Sequence, residues 1–505
     1  MVTRKGEIVY VIVGNNKDIL IPQLDKYRLG RKRLRGLRFL HTHLKGEPLS
    51  QDDLTDLALL RLDLIGCIGV DKLGLPSSVF LAHLLPPNQE EKTHELLSPR
   101  DIHHINIDFD RFIIELERQI TRTEKESQQV ISGERAILIG VRDGRKSISA
   151  EDSIEELKEL ARTSSVRVLD TVIQNAHQLN PKYLLGKGKL KELIIKALQL
   201  GASLLIFDQE LTAAQARSIS EITEIKVLDR TQLILDIFAE HAHTPDGKIQ
   251  VELAQLKYIL PRLKEKSTAF SRLMGGIGGR GPGEQKLETD RRHIRARISY
   301  LEKKLGTISK SRRQRRAKRA GSSLPIISIV GYTNVGKSTL LNALTHSHIL
   351  VENMYFATLD TSSRRLRFPR EREAIITDTV GFIRSLPQDL LGAFRSTLEE
   401  LDDADLLLHV IDVANPCFPE QIEAVKKILY DLDLSHIPIL QVFNKIDKIS
   451  QEMFSIYKKR YQGVFVCARS LDSLKPLIIQ LEGMLEDYGC FYPRAGRSGY
   501  RRSYI

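Results

Sequence analysis

The chain has 505 residues, 42% of them hydrophobic and 28% charged, the proportions of a globular protein with several domains. No apolar run reaches the roughly 18 residues that a membrane helix needs. Cys67, Cys417, Cys467 and Cys490 form no CxxC pair, which excludes a disulfide framework and a Cys-rich zinc site. Lysine and arginine exceed aspartate and glutamate, for a formal charge of +12, so polyanions are attracted.

Residues 1–130 are expected to form an N-terminal extension. The opening MVTRKGEIVYVIVGNN reads as a strand, Ile8–Val13, rather than a signal peptide. A short run Ile19–Ile21 and a helix over Asp52–Leu64 follow. Strand-like Leu37–Leu40 leads into His41-Thr42-His43, then LKGEPL, then Ser50-Gln51-Asp52-Asp53 opening the helix. This H-x-H followed by S-x-x-D resembles the JAMM zinc-hydrolase pattern. The resemblance implies that His41, His43 and Asp53 bind zinc and that an upstream glutamate, here Glu7, activates water. The spacer is one residue short, and Leu44 stands where proline is expected. The plainer reading is two histidines at a strand end beside a capping serine.

Residues 131–248 alternate strand and helix. Strands are expected at Val166–Ile173, Ser203–Phe207 and Ile225–Leu228, and helices at Lys189–Gln199 and Ala213–Glu221. Such alternation implies βαβ units around a parallel sheet. Gly186-Lys187-Gly188-Lys189 at a helix start is a tight turn with exposed lysines, and no nucleotide site is assigned to it.

Over 249–322 the period changes. Ile249, Leu253, Leu256, Leu260 and Leu263 recur at heptad spacing, as do Ile294, Ile298, Leu301, Leu305 and Ile308. These predict a two-helix antiparallel hairpin with a kink at Pro261. Its tip would be GGIGGRGPGE, residues 275–284, whose glycine density ends any helix. KSRRQRRAKR at 310–319 then places basic side chains at seven of ten positions. That stripe suits an RNA backbone. Arginines and tyrosines mark the tail 489–505.

Residues 323–488 carry the chemistry. An apolar strand, Leu324–Val330, leads into Gly331-Tyr332-Thr333-Asn334-Val335-Gly336-Lys337-Ser338, which is GxxxxGK[ST]. Glycines let backbone N–H groups surround phosphates, Lys337 reaches the β and γ oxygens, and Ser338 ligates Mg²⁺. Asp378-Thr379-Val380-Gly381 follows a second strand; Asp378 supports the metal through its water shell and the Gly381 N–H meets the γ-phosphate. Asn444-Lys445-Ile446-Asp447 follows a third. Asp447 can accept from both N1–H and the N2 amino group of guanine, whereas adenine would leave it unpaired. Phe356-Ala357-Thr358-Leu359-Asp360 occupies the first-switch position, with Thr358 the candidate second Mg²⁺ side chain and Thr361 the alternative. Cys467-Ala468-Arg469 sits where a backbone N–H meets guanine O6. Lys337, Thr358 and Gly381 are thus the candidate catalytic groups, with Mg²⁺ as cofactor and GTP as substrate.

These residues closely resemble the HflX family of GTPases. The likeness extends through NPKYLLGKGKLKEL (180–193), LIFDQELTAAQ (205–215), GGIGGRGPGEQKLETDRR (275–292), GYTNVGKSTLLNAL, FATLDTSSRRL, DTVGFI and NKID. It implies an α/β multidomain chain: a βαβ N-terminal domain, a helical hairpin and a Ras-like P-loop domain. It also implies binding to the large ribosomal subunit and its RNA, with splitting or rescue of stalled or hibernating ribosomes. A GTPase switch acting on another RNA partner is the alternative. The family's usual Ser-Ala is here Cys467-Ala468, and Ser362 replaces a proline after the first switch. The expected location is the cytoplasm, with ribosomes or peripherally at a membrane, and the expected state a monomer without a membrane span.

Overall fold

Three sheets organise the described residues of the chain in the computed structural model. It describes all residues except 16–18, 20, 23, 25, 26, 28–33, 72, 87–91, 102–106, 130–132, 144–148, 177, 178, 224, 243, 264–283, 320–323, 346–361, 380, 384–400 and 492–505; side chains at 98–100, 123–129, 143, 176, 284–290, 309, 311–319 and 362 are likewise not described. The chain divides into two compact units, one holding the first two sheets and the other the long helices and the third sheet.

The first sheet runs in the order β1 (Val2–Thr3), β2 (Leu37–His43), β3 (Leu64–Val70), β4 (Pro76–Leu84), β5 (His94–Asp101). Only β2 and β3 pair in parallel, so a crossover must join them. That crossover is α1 (Gln51–Leu60), started by a capping box in which Ser50 Oγ accepts from the Asp53 N–H while the Asp53 carboxylate accepts from the Ser50 N–H. The expected helix to Leu64 stops earlier. Arg61 turns left-handed at φ 49°, and Asp63 is drawn into a buried pair with Arg4 at 2.5 Å. Ile8–Val13 is not a strand either: Ile8 makes one bridge to Val2, and Val11 and Val13 stand exposed. Helix α2 (Phe109–Gln129) contributes Ile113, Leu116 and Ile120 to the same core as Leu37, Phe39, Leu57 and Ile65.

The second sheet is fully parallel, in the order β7-β6-β8-β9 (β6 Arg135–Asp143, β7 Arg167–Ala176, β8 Leu204–Phe207, β9 Lys226–Asp229). Helices α3 (Ala150–Thr163), α4 (Lys187–Leu200) and α5 (Ala213–Ile222) connect the strands, as alternation predicts. Strand β8 is buried at every position, the mark of a parallel strand covered on both faces. Gly140 lies so close to Ile154 that a Cβ would come within 2.8 Å of its side chain.

The second unit holds α6 (Arg230–His241), α7 (Pro245–Ile259) and α8 (Glu284–Arg319). Ile249, Leu253 and Leu301 are buried together, with Leu256, Ile298, Leu305 and Ile308 packed around them, so the two heptad seams do meet. Arg297–Glu252 and Lys257–Glu302 ion pairs flank them. Pro261 lies in a 3₁₀ turn, Leu260–Leu263, that ends the first helix. The glycine-rich segment 275–283 lies outside the described residues, as do the side chains of most of the basic run.

The third sheet runs β11-β12-β10-β13-β14-β15 (β10 Ile326–Gly331, β11 Ser362–Arg367, β12 Glu373–Asp378, β13 Leu406–Asp412, β14 Ile439–Asn444, β15 Val464–Phe465). Only β11 pairs antiparallel. Helices α9 (Lys337–Thr345), α10 (Phe418–Asp431), α11 (Gln451–Arg460) and α12 (Leu471–Asp487) complete it. The carboxyl ends of β10, β12 and β14 therefore point the same way. In such sheets ligands bind outside those ends.

Candidate nucleotide site

The loop after β10 is shaped by backbone no ordinary side chain adopts easily. Gly331 has φ 153°, Asn334 φ 60° and Gly336 φ 93°. A Cβ on Gly331 would stand 2.3 Å from the Val410 carbonyl oxygen, and one on Gly336 2.5 Å from Asn444 Nδ2. Glycine is required at both places by space as well as by φ. Asn334 is among the few residues that tolerate the left-handed turn.

Lys337, the first residue of α9, is buried, and its Nζ donates to the carbonyls of Tyr332 (2.8 Å) and Gly331 (3.3 Å). Burial pushes this ammonium down to about 8, the Asp378 carboxylate opposing the shift. Ser338 Oγ donates to Asp378 Oδ2 at 2.7 Å, bringing together two side chains whose oxygens suit a hard cation. The buried Thr333 Oγ1 has no hydrogen-bond partner among the described residues, an orphan that a phosphate oxygen would satisfy.

Thr379 Oγ1 donates to the Ile329 carbonyl at 2.6 Å, fixing the end of β12 to β10. Gly381 faces the loop so closely that a Cβ would meet Lys337 Nζ and Thr333 Cγ2, both at 2.8 Å. Phe382 is buried; its N–H donates to the Gly331 carbonyl (3.0 Å) and its carbonyl accepts from the Thr333 N–H (2.8 Å).

The third element is tied to the first. Asn444 Nδ2 donates to the Val335 carbonyl (2.9 Å) while its Oδ1 accepts from the Ala468 N–H (3.0 Å). Lys445, at φ 65°, donates to the Asn334 carbonyl (2.7 Å) and pairs with Asp412 (2.6 Å). Ile446 and Asp447 sit on a 3₁₀ turn, with Asp447 exposed. Cys467 stands beside Asp447: burial raises its thiol and the carboxylate adds to the shift. Its backbone is held by Ser473, whose Oγ accepts from the Cys467 N–H (2.9 Å) and donates to its carbonyl (2.7 Å). Arg469 follows in the same turn.

Sequence reasoning missed Asp412, Ser473 and the backbone role of Phe382. Asp412 carries a local signal, a lone carboxylate ending the apolar run LLLHVI; the other two carry none. Residues 356–360, with Thr358, and also Thr361 and Val380 lie outside the described residues.

Comparison with known proteins bears on the same residues. Residues 151–239 match a family described as GTP-binding GTPase N-terminal, 241–319 one described as GTP-binding GTPase Middle Region, and 326–445 one described as 50S ribosome-binding GTPase. The chain is 51% identical over 314 residues to GTPase HflX of Caldanaerobacter subterraneus, covering 62% of this chain and 73% of that protein. It is 43% identical over 353 residues to GTPase HflX of Alkalihalophilus pseudofirmus, covering 70% and 83%. The chain belongs to the HflX family of GTPases. It is thus a GTP-hydrolysing enzyme, with the multidomain α/β architecture already described. A solved GTP-binding protein from Sulfolobus solfataricus in complex with GDP is 27% identical and spans 69% of this HflX-family chain and 99% of its own, at a TM-score of 0.38. Among the described residues no helix is long and apolar enough to cross a membrane.

Proposed function

We propose that this chain binds Mg²⁺·GTP through residues 331–338 and, when bound to the large ribosomal subunit, hydrolyses it to GDP and phosphate, so splitting or rescuing stalled or hibernating ribosomes. The observation that carries the reading is the match of residues 326–445 to the ribosome-binding GTPase family. In the proposed site Lys337 neutralises the β and γ oxygens, and Ser338 with Thr358 ligates the metal. Asp378 holds the metal's water, and the Gly381 N–H meets the γ-phosphate. Asp447 accepts from guanine N1–H and N2, and Ala468 presents its N–H towards O6. Mg²⁺ supplies neutralisation of the developing phosphate charge. The Ser338–Asp378 pair and the orphaned Thr333 hydroxyl support this assignment.

The proposed division is an N-terminal extension (1–130), an α/β domain (131–248), a hairpin (249–322), the nucleotide domain (323–488) and a basic tail (489–505), acting as a monomer at cytoplasmic ribosomes. Co-sedimentation with large ribosomal subunits in GTP, a non-hydrolysable analogue and GDP tests it. Stable retention with the analogue, retention with GTP only until it is hydrolysed, and release with GDP are expected. Nucleotide-independent behaviour would instead favour a switch for another RNA partner.

A further inference from the structure

Strand β2 and helix α1 bring together a group of side chains that GTP hydrolysis does not use. Alternation along β2 puts Phe39, His41 and His43 on one face; His41 is buried and His43 half-buried. The capping box sets Asp53 on the first turn of α1, facing them. His41 Nε2 lies 3.0 Å from His43 Nε2 and 3.3 Å from Asp53 Oδ1, and His43 Nε2 lies 3.5 Å from Asp53 Oδ2. Tetrahedral zinc, with bonds of about 2.0–2.2 Å to nitrogen and oxygen, spaces its ligands about 3.3–3.5 Å apart. One ligand atom from each of the three residues lies within 4.8 Å of the other two, close enough for a single ion to join them.

His43 Nδ1 lies 2.9 Å from the Glu47 carbonyl, which can only accept, so Nδ1 carries the proton and Nε2 presents a bare lone pair. Asp53 Oδ2 is anchored by the Ser50 N–H (2.7 Å) and Oγ (2.6 Å), which fixes the carboxylate beside both rings. A cation bound there would join both imidazole nitrogens to that carboxylate. The Glu47 contact is also the outer support that metal-bound histidines commonly have. It depends on the tight turn at Gly46 (φ 70°), which closes against Gly69; a Cβ there would lie 3.1 Å from Gly46 Cα. The His41 ring is held by stacking on Phe39 at 5.0 Å, its Nδ1 being buried without a hydrogen-bond partner among the described residues.

We infer that His41, His43 and Asp53 form a zinc site with three protein ligands and an open fourth position. Among the described residues no fourth histidine, cysteine or carboxylate joins the group. Glu7, the expected base, is tied to Thr3, which pairs with Leu37 at the far end of β2; four residues of strand set it roughly 13 Å away. The site therefore holds zinc with an exchangeable fourth ligand and lacks that glutamate as a base for hydrolysis.

The test uses the full chain, purified without a histidine tag and with Mg²⁺ and GDP bound so that the nucleotide site is filled. After chelation and reconstitution with Zn²⁺, metal is measured by inductively coupled plasma mass spectrometry, and Co²⁺ replaces zinc for absorption spectroscopy. One zinc per chain and an intense four-coordinate Co²⁺ spectrum are expected, with at least about a tenfold loss of affinity in His43→Gln while GDP stays bound. A parent that takes up no zinc, a six-coordinate Co²⁺ spectrum, or unchanged binding in His43→Gln would overturn the assignment. If that variant misfolds, the parent's stoichiometry and Co²⁺ spectrum decide alone.

Discussion

Gly336 and Asn444 touch across the nucleotide site: a Cβ on the glycine would fall 2.5 Å from Asn444 Nδ2. That same nitrogen donates to Val335, and the amide oxygen accepts from Ala468. One asparagine thus ties the loop after β10 to the turn at Ala468. Gly336→Ala should displace it and force alanine into φ 93°, a strain of order 1–3 kcal/mol. GTP affinity is expected to fall more than about tenfold, read by titration with a fluorescent nucleotide. Parent-like affinity would sink the coupling.

Base choice should rest on Asp447. Asp447→Asn removes the charge and turns one of the two acceptors for guanine into a donor, and a hydrogen bond to a charged group is worth about 1.5–3 kcal/mol. The new amide can instead donate to the O2 of xanthine. We expect GTP affinity to drop by about 10²-fold or more and xanthosine triphosphate to become the better ligand. Competition binding between the two nucleotides gives the answer, and an unchanged preference for GTP would remove Asp447 from the base site.

The loop geometry at the candidate nucleotide site was largely legible in the sequence because its constraints are local. Glycines at 331 and 336 are imposed by φ and by close backbone approach, so spacing alone places them. The N-terminal sheet was less legible because its constraints are long-range. Apolar residues through Leu64 predict a continuing helix, yet Asp63 is buried against Arg4, 59 positions away, and that pairing ends α1 early. Ile8–Val13 has the composition of a strand, but its backbone bonds run to Met1 and Val2 rather than along a strand ladder. Lys445 and Asp412 meet for a similar reason: strand neighbours in space are separate in sequence. His41, His43 and Asp53 were the exception, since strand alternation and a helix cap set their geometry over only 13 positions.

His409 on β13 should make the nucleotide domain acid-sensitive. Burial pushes its imidazolium down to about 4, with Lys426 and Lys337 adding repulsion. The unfolded histidine titrates near 6.5, so between these values the unfolded chain binds more protons. Stability is then complete above pH 6.5 and falls as the pH drops towards 4, by about 3 kcal/mol from this group. His409→Gln cannot charge, so its stability should fall by about 2 kcal/mol less than the parent's between pH 7 and pH 4.5. Urea unfolding followed by circular dichroism measures both; equal acid sensitivity would contradict the buried, neutral histidine.

Phe382 bears on how hydrolysis would be controlled. In Ras-like enzymes a glutamine follows the DxxG glycine and orients the attacking water. Here that position is a phenylalanine, buried and bridged by its backbone to Gly331 and Thr333. Its side chain can neither donate nor accept, so intrinsic turnover should be slow, with the water positioned by the bound ribosomal partner. Simple replacement will not restore a Ras-like site. In Phe382→Gln the amide would enter a buried position, where a group left unpaired costs roughly 1–3 kcal/mol. We therefore expect Phe382→Gln to be less stable and to hydrolyse GTP alone no faster than the parent, whereas large ribosomal subunits raise the parent's turnover by at least about tenfold. Phosphate release measured with and without subunits tests both parts. Fast turnover by the isolated parent, or a marked gain in the glutamine variant, would show that the side chain reaches the attacking water after all.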